Sequence, residues 1–586
     1  MQQYKAPLSD IQFVLEHWLQ APEAWRAIPA YQDVDPELAR QVVEQAGRFC
    51  SDVLAPLNAS GDRQGCRLID GQVHTPDGFA AAYQAYVQGG WPGLACDPAW
   101  GGQGLPQVLD AALQEMLYAS NHAWAMYTGI AHGAYLCLNT HAPDWLKARY
   151  LPAVVSGEVL PTMCLTEPQA GSDIGLLRCA AQPEADGGYS ITGSKLFISG
   201  GEHDLTANIL HLVLVRLPGA PAGSRGLSLM LVPKWLEQGE RNGVQCDSIE
   251  HKLGIKGSAT CALHFDQARG WLVGEVHGGL AAMFVMMNSA RLHVGLQGLG
   301  HAEAAWQYAR EYALERRQMR APKRPDQVPS STADPIHLHP AMRRVLLELR
   351  VRSQGMRAIG YWVAHWLDLA AEAVQPPQRE RARQLAQLLT PIVKASFTEQ
   401  GFSLASKALQ VFGGYGYTQE FAIEQTLRDS RIAMIYEGSN EIQANDLLLR
   451  KVLGDGGEAF ALLLEEMREE AAAGLGAAGC GVYADRLAGV CDSLQRVVDD
   501  VFGLSALDPE YPYRAAGDFL QLCASGLLAF AWARAARCVM GLAVDDPLRV
   551  EKLESAGFFF DYLLPALDYH VAAVRAAEAQ LPFLRG

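Results

Sequence analysis

The sequence of 586 residues has no cysteine pair at CxxC spacing, and its 12 cysteines follow no regular interval. That argues against a redox dithiol motif and predicts lone buried thiols in a reducing compartment. The one close histidine pair, His337 and His339, lacks a third and fourth ligand nearby, so no metal site is expected. Basic charge is scarce, with 48 Lys and Arg against 64 Asp and Glu and a net charge of −16. A nucleic-acid binder needs a basic face, so no nucleic-acid partner is expected; a local basic pocket for a phosphorylated ligand stays allowed. The opening, "MQQYKAPLSD", has no charged segment leading into an apolar core, so no secretory signal is expected. The most apolar late stretch, 524–544, is interrupted by Arg534 and Arg537, so no integral membrane segment is expected and the predicted location is cytoplasmic. A nucleophile elbow, a Walker A loop, a full dinucleotide fingerprint after a strand and an internal repeat are also missing.

What is present suits a globular enzyme of several domains: 49% hydrophobic and 19% charged residues on a chain too long for one core. Residues 1–160 read as helices, with apolar residues of 107–123 recurring at three- and four-residue spacing. The texture then changes. "YSITGSKLFISG" (189–200), "NILHLVLVRL" (208–217), "GLSLMLVPK" (226–234) and "ATCALHFDQ" (259–267) are short strands between turn residues, and predict an antiparallel β domain over 161–277. Long helical segments return over 278–453, broken by a Pro/Ser-rich loop at 321–335. "GDGG" at 454–457 marks a boundary, and 454–586 reads as an additional helical domain.

Two stretches carry candidate chemistry. In "AMIYEGSN" (433–440) an apolar run ends on one carboxylate, Glu437, followed by Gly438. One reading is plain helix capping: Ser439 and Asn440 are good N-cap residues, Asn440 to Gln443 fits a capping box, and an acid near a helix N-terminus is favoured. The other is a catalytic base whose pKa is raised by the apolar neighbours Ile435 and Tyr436. In "MCLTEPQAGSD" (163–173), Thr166, Gly171 and Ser172 offer hydroxyls and close backbone to an anion or a polar ring edge; a turn set by Pro168 and Gly171 is the alternative.

Six separated motifs, "GGWPGL…GGQGLP", "CLTEPQAGSD", "GSKLFISGG", "KLGIKGSATC", "ALERRQ" and "QVFGGYGYTQEFAIEQTLRDSRIAMIYEGSNEIQ", stand in order across about 40–453. Together they closely resemble the FAD-dependent acyl-CoA dehydrogenases. The opening "YKAPLSDIQFVL" and the added C-terminal region resemble the longer bacterial branch of that family, which has an extra C-terminal helical domain. The resemblance implies a mainly α fold: a helical N-terminal domain, a central β barrel or sandwich, a four-helix bundle and the additional helical domain. It implies α,β-dehydrogenation of an acyl-CoA to a trans-2-enoyl-CoA. Glu437 is then the α-proton base, the β-hydrogen leaves as hydride to flavin N5, and the thioester carbonyl takes hydrogen bonds from the ribityl 2′-hydroxyl and the base's own N–H.

The same resemblance places the cofactor contacts. Met163, Leu165 and Thr166 line the flavin ring and its pyrimidine edge, and Gly171 and Ser172 form the turn near the pyrophosphate and the CoA chain. Phe197 stands where a Trp is usual, and Ser199 where a Thr hydroxyl is usual. Arg316 reaches the flavin diphosphate across a dimer interface, with Gln410 and Gly414 on the adenosine side and Ser439 beside the adenine. Met287, Asn288 and Arg291 lie on the helix that holds CoA, and Tyr436 and Gly438 flank the thioester. The pattern departs at Gln318, Met319, Glu441 and Ala444. The implied partners are an acyl-CoA substrate and an electron-transferring flavoprotein, with a homodimer as the assembly. Two alternatives differ in chemistry. An acyl-CoA oxidase would use oxygen. A DNA-associated flavoprotein on the same fold would need a basic C-terminal domain, but 454–586 carries 10 basic and 20 acidic residues.

Overall fold

The computed structural model describes residues 3–237, 239–325 and 332–584. The middle of the expected 321–335 loop, 326–331, lies outside the described residues. The chain divides into two compact units: one of 1–44, 111–115 and 294–586, the other of 45–110 and 116–293.

The second unit holds the strands. A small antiparallel hairpin joins β1 (Arg67–Ile69) to β2 (Gln72–His74). Seven further strands follow: β3 (Val159–Cys164), β4 (Ala180–Pro183), β5 (Tyr189–Ser199), β6 (Asn208–Arg216), β7 (Leu227–Pro233), β8 (Val244–Ile249) and β9 (Thr260–Val273). Their pairings close a ring, β4-β5-β9-β7-β6 and back to β4, with β3 added along β6 and β8 along β9. Most pairs are antiparallel, as expected, but β3 and β4 each meet β6 in parallel. β6 and β7 are buried along nearly their whole length, which is why "ILHLVLV" and "LSLMLVP" read as continuous apolar runs. β5 alternates instead. Its register against β9 slips between Lys195 and Ile198.

The first unit is helical. Pro340 starts the Pro340–Glu372 helix, where its missing N–H costs nothing. Leu346, Leu349, Ser353, Met356, Gly360 and Val363 are buried along it at three- and four-residue spacing. The Pro376–Phe412 helix packs against the long Gly279–Glu315 helix through glycine. A Cβ on Gly298 would lie 2.2 Å from the Phe397 carbonyl oxygen, so only glycine permits that approach. Five helices follow: Glu458–Leu475, Gly481–Leu507, Tyr511–Cys538, Pro547–Phe558 and Ala566–Ala576. Tyr511–Cys538 is long and apolar enough to cross a membrane by composition, yet 83% of that window is buried inside the protein.

A buried ionic cluster ties this unit together. The Arg357 guanidinium donates to Glu115 at 2.5 and 3.0 Å, to Glu303 at 2.8 Å, and to Asp10. Lys552 also donates to Asp10, and Tyr361 donates to Glu115 at 2.7 Å. Burial alone would raise the Asp10 carboxyl, but Lys552 and Arg357 hold it below its ordinary value. Burial wins at Glu115, whose carboxyl is raised.

All 12 cysteines are free thiols, buried except for Cys66 and Cys538. His337 and His339 each face a backbone carbonyl, of Ala313 and Gln318.

Candidate active site

In the second unit, the end of β3 is built around a buried ion pair, Lys195 to Glu167 at 2.8 Å. The Lys195 ammonium also donates to the Leu165 carbonyl at 3.0 Å. Glu167 accepts the backbone N–H groups of Arg178 at 2.7 Å and Cys179 at 3.0 Å, and the Gln169 amide at 2.7 Å. Burial favours a raised Glu167 carboxyl, but Lys195 and these donors bring it below the ordinary value. The Thr166 carbonyl accepts Leu196 N–H at 2.8 Å. Met163, Leu165 and Thr166 are thus half-buried residues on a fixed strand end, with Lys195 of β5 behind them.

Beyond it Gly171 and Ser172 are exposed, and nothing lies within 4 Å of a Cβ built on Gly171. Phe197 sits in the β5 slip with φ 59°, and its side chain is 58% exposed. An aromatic residue held left-handed and turned outward is a strained, outward-facing feature of the kind that clusters at functional sites. Ser199, two residues on, is half-buried and pairs with Thr260. On the Gly279–Glu315 helix, Met287 is half-buried and Asn288 exposed, while Arg291 is only 7% exposed. Such burial rules out the solvated helix face as the setting of Arg291.

In the first unit, Arg316, Gln410 and Gly414 come together in the wall of one cavity of about 640 Å³. The departures Gln318 and Met319 line it as well, beside Tyr312, Met342 and Tyr415. The Arg316 guanidinium lies 5.7 Å from the Tyr415 ring centroid, and Tyr312 stacks on Phe412 at 4.3 Å. Gly413 is left-handed at φ 61°, and no atom lies within 4 Å of a Cβ on Gly413 or Gly414, so main chain is open to a ligand there.

Glu437 and its neighbours are outside that cavity wall, on the turn before the Asn440–Asn445 helix. Glu437 is half-buried with φ 55°, and Gly438 follows at φ 81°. At φ 81° Gly438 holds a backbone conformation that side chains rarely adopt, and a Cβ there would also push on the Gln443 amide, 2.7 Å away, so glycine is favoured in the turn. Gln443 donates that amide to the Glu437 carbonyl at 3.0 Å. Lys394, wholly buried, donates to the Gly438 carbonyl at 2.6 Å and to Asn440 Oδ1 at 3.2 Å. The Tyr436 hydroxyl donates to Gln297.

Two sequence expectations change here. The N-cap is Ser439, its side chain makes no capping hydrogen bond, and Asn440 and Gln443 are committed elsewhere, so no capping box forms. The Ser439 hydroxyl instead helps hold the Glu441 carboxyl below its ordinary value. Ile435 is 53% exposed rather than packed over the acid.

The residues present fit a flavin dinucleotide. The exposed Phe197 face and the open shelf at Gly171 suit a flat ring system and a phosphate. The Arg316 cavity with its bare Gly413–Gly414 main chain suits an anionic nucleotide arm.

Comparison with known proteins agrees along the chain. Residues 36–158, 162–268 and 277–451 match the acyl-CoA dehydrogenase N-terminal, middle and C-terminal domains, and 463–582 match the acetyl-CoA dehydrogenase C-terminal-like domain. The 3-methylmercaptopropionyl-CoA dehydrogenase of Ruegeria pomeroyi is 41% identical over 96% of both chains. A broad-specificity linear acyl-CoA dehydrogenase of Mycobacterium tuberculosis is 36% identical over 85% of this chain and 82% of its own. Among solved structures, the Bacillus anthracis acyl-CoA dehydrogenase complexed with FAD superposes with a TM-score of 0.73 at 19% identity, covering 95% of this chain and 94% of its own. With the fold, the FAD-suited residues and four domain matches in agreement, the chain belongs to the acyl-CoA dehydrogenase family, in its longer form with an additional C-terminal domain.

Proposed function

We propose that this chain desaturates a short acyl-CoA thioester to the trans-2-enoyl-CoA, with Glu437 as the base. The observation that carries the assignment is the Glu437 turn: a carboxylate on a left-handed backbone whose own carbonyl and the next are both held by buried side chains. FAD, when bound, would supply the two-electron oxidation that removes the β-hydrogen as hydride. The α C–H bond breaks, its proton passes to a Glu437 carboxylate oxygen, and its electron pair enters the enolate. The Glu437 N–H donates to the thioester carbonyl, where the enolate charge develops; such a donor contributes about 3 kcal/mol to lowering the barrier. Tyr436 and Gly438 flank the thioester, and Met287, Asn288 and Arg291 hold the CoA. Met163, Leu165, Thr166, Phe197 and Ser199 seat the flavin ring, and Gly171 and Ser172 approach the pyrophosphate. Arg316, Gln410, Gly414 and Ser439 hold the adenosine diphosphate arm of a flavin bound by a second copy of the chain.

The short-chain reading rests on the relative named for 3-methylmercaptopropionyl-CoA; the other is named for broad specificity toward linear acyl-CoAs. A series from butyryl-CoA to palmitoyl-CoA, with 3-methylmercaptopropionyl-CoA included and a dye as acceptor, tests it. Short linear or thioether chains should show the highest kcat/KM; a maximum at palmitoyl-CoA would overturn it. The proposed acceptor is an electron-transferring flavoprotein and the proposed location the cytoplasm. The proposed assembly is a homodimer, supported by the Arg316 cavity and by Tyr417 beyond it, 88% exposed. Light scattering showing an FAD-loaded monomer would reject the shared site.

A further inference from the structure

We infer that Lys394 is a positioning residue for proton abstraction, acting by clamping the turn that carries Glu437. The inference rests on the reading of Glu437 as base.

Lys394 stands in "PIVKASF", a buried stretch of the Pro376–Phe412 helix where Ile392, Val393, Ala395 and Phe397 are all core residues. An apolar side chain would fill that seat without the desolvation that a buried ammonium suffers. The ammonium is spent on the turn. It donates to the Gly438 carbonyl at 2.6 Å and to Asn440 Oδ1 at 3.2 Å, so it brackets Ser439. Asn440 is fastened to the same helix, since its amide donates to the Ala395 carbonyl at 3.2 Å and the Thr398 hydroxyl lies 3.1 Å from its Oδ1. Gln443 takes the preceding carbonyl, of Glu437, at 3.0 Å.

Two successive left-handed residues, Glu437 and Gly438, therefore have both carbonyls fixed by side-chain donors. A non-glycine residue leaves that conformation readily unless its surroundings hold it. Without Lys394 the peptide after Gly438 can rotate, carrying the Glu437 carboxylate and its N–H away from the substrate. Binding of CoA, which uses other residues, is little affected. Proton transfer is affected because it tolerates little misplacement: a shift of about 1 Å can cost about 100-fold.

The test isolates proton abstraction from oxidation. A 3-thia-acyl-CoA has sulfur at the β position and cannot be desaturated there, so deuterium uptake at its α-carbon from D2O reports the base alone. Lys394→Met should slow that exchange about 30- to 100-fold. FAD content and the affinity for the thia-acyl-CoA should stay near the parent's. Lys394→Gln, which keeps a donor, should recover part of the rate. Amide hydrogen exchange in the peptide spanning 436–443 should speed up in Lys394→Met even without FAD, a readout independent of turnover. Parent-like α-exchange and parent-like amide exchange in Lys394→Met, with exchange abolished in Glu437→Gln, would overturn the role of Lys394 and leave the base standing. Persistent α-exchange in Glu437→Gln would overturn the base itself. Should Lys394→Met fail to fold, Lys394→Gln and Asn440→Ala carry the test: slowed exchange supports the clamp and parent rates overturn it.

Discussion

Gln443 donates its side-chain amide to the carbonyl of Glu437 at 3.0 Å, from the helix that begins just after the turn. The first turn of that helix thus holds the backbone of the acid preceding it. Gln443→Leu keeps the volume and removes this donor to a half-buried carbonyl, at a cost of about 1 kcal/mol, the ordinary net worth of one hydrogen bond. The expected result is a fall in kcat of about tenfold, with little change in KM, read by dye reduction under steady-state conditions.

Arg316→Ala should loosen the flavin more than it slows the chemistry. Loss of a charge-assisted contact to a diphosphate costs about 1.5–3 kcal/mol. The purified variant should contain less FAD, and excess FAD should restore most of the rate. Full flavin occupancy with low activity would show that this arginine does something else.

Gly298→Ala places a methyl 2.2 Å from the Phe397 carbonyl oxygen, which is main chain and has nowhere to retreat. The two helices must separate, at about 1–3 kcal/mol. Thermal unfolding should show a lower Tm, whereas Gly503→Ala, with nothing within 4 Å of its Cβ, should not lower it.

Lys552→Met removes one of the two cations facing buried Asp10. The loss should be about 3 kcal/mol, the lower end for a broken buried pair, because Arg357 remains. The Asp10 carboxyl sits below its ordinary value in the folded state, so its contribution is present above the unfolded value of about 3.9 and is lost as pH falls through the folded value. The variant should therefore unfold in acid at a higher pH than the parent. Glu115 is displaced in the opposite sense, so the comparison is between variant and parent rather than within the parent.

The order of helical and strand-rich segments was legible because apolar spacing differs between a helix and a pleated strand. The left-handed turn at Glu437 and Gly438 sits where a lone acid ends an apolar run before glycine, so the position stood out in the sequence, though its backbone geometry did not. Strand direction was not legible: "VLPTMC" reads the same whether it meets β6 in parallel or antiparallel. The capping box failed because its letters had stronger partners 45 residues away, at Ala395 for Asn440, and on the turn itself for Gln443. The Lys195–Glu167 pair spans 28 residues and has no local signature. Lys394 did leave a trace, a single cation within "PIVKASF", but its partner, the Gly438 carbonyl, is 44 residues distant and only the fold supplies it.

In the proposed reaction Glu437 takes the α-proton. Glu437→Gln is nearly isosteric, so folding and the flavin spectrum should survive, while the amide accepts no proton. Glu441, the nearby carboxylate, is exposed and held ionised by the Ser439 hydroxyl and by neighbouring cations. Anaerobic stopped-flow mixing of each variant with acyl-CoA, followed at the flavin absorbance band, decides between them. Bleaching should be slowed about 100-fold or more in Glu437→Gln and be nearly unchanged in Glu441→Gln. Near-normal bleaching in Glu437→Gln together with slow bleaching in Glu441→Gln would contradict that role of Glu437.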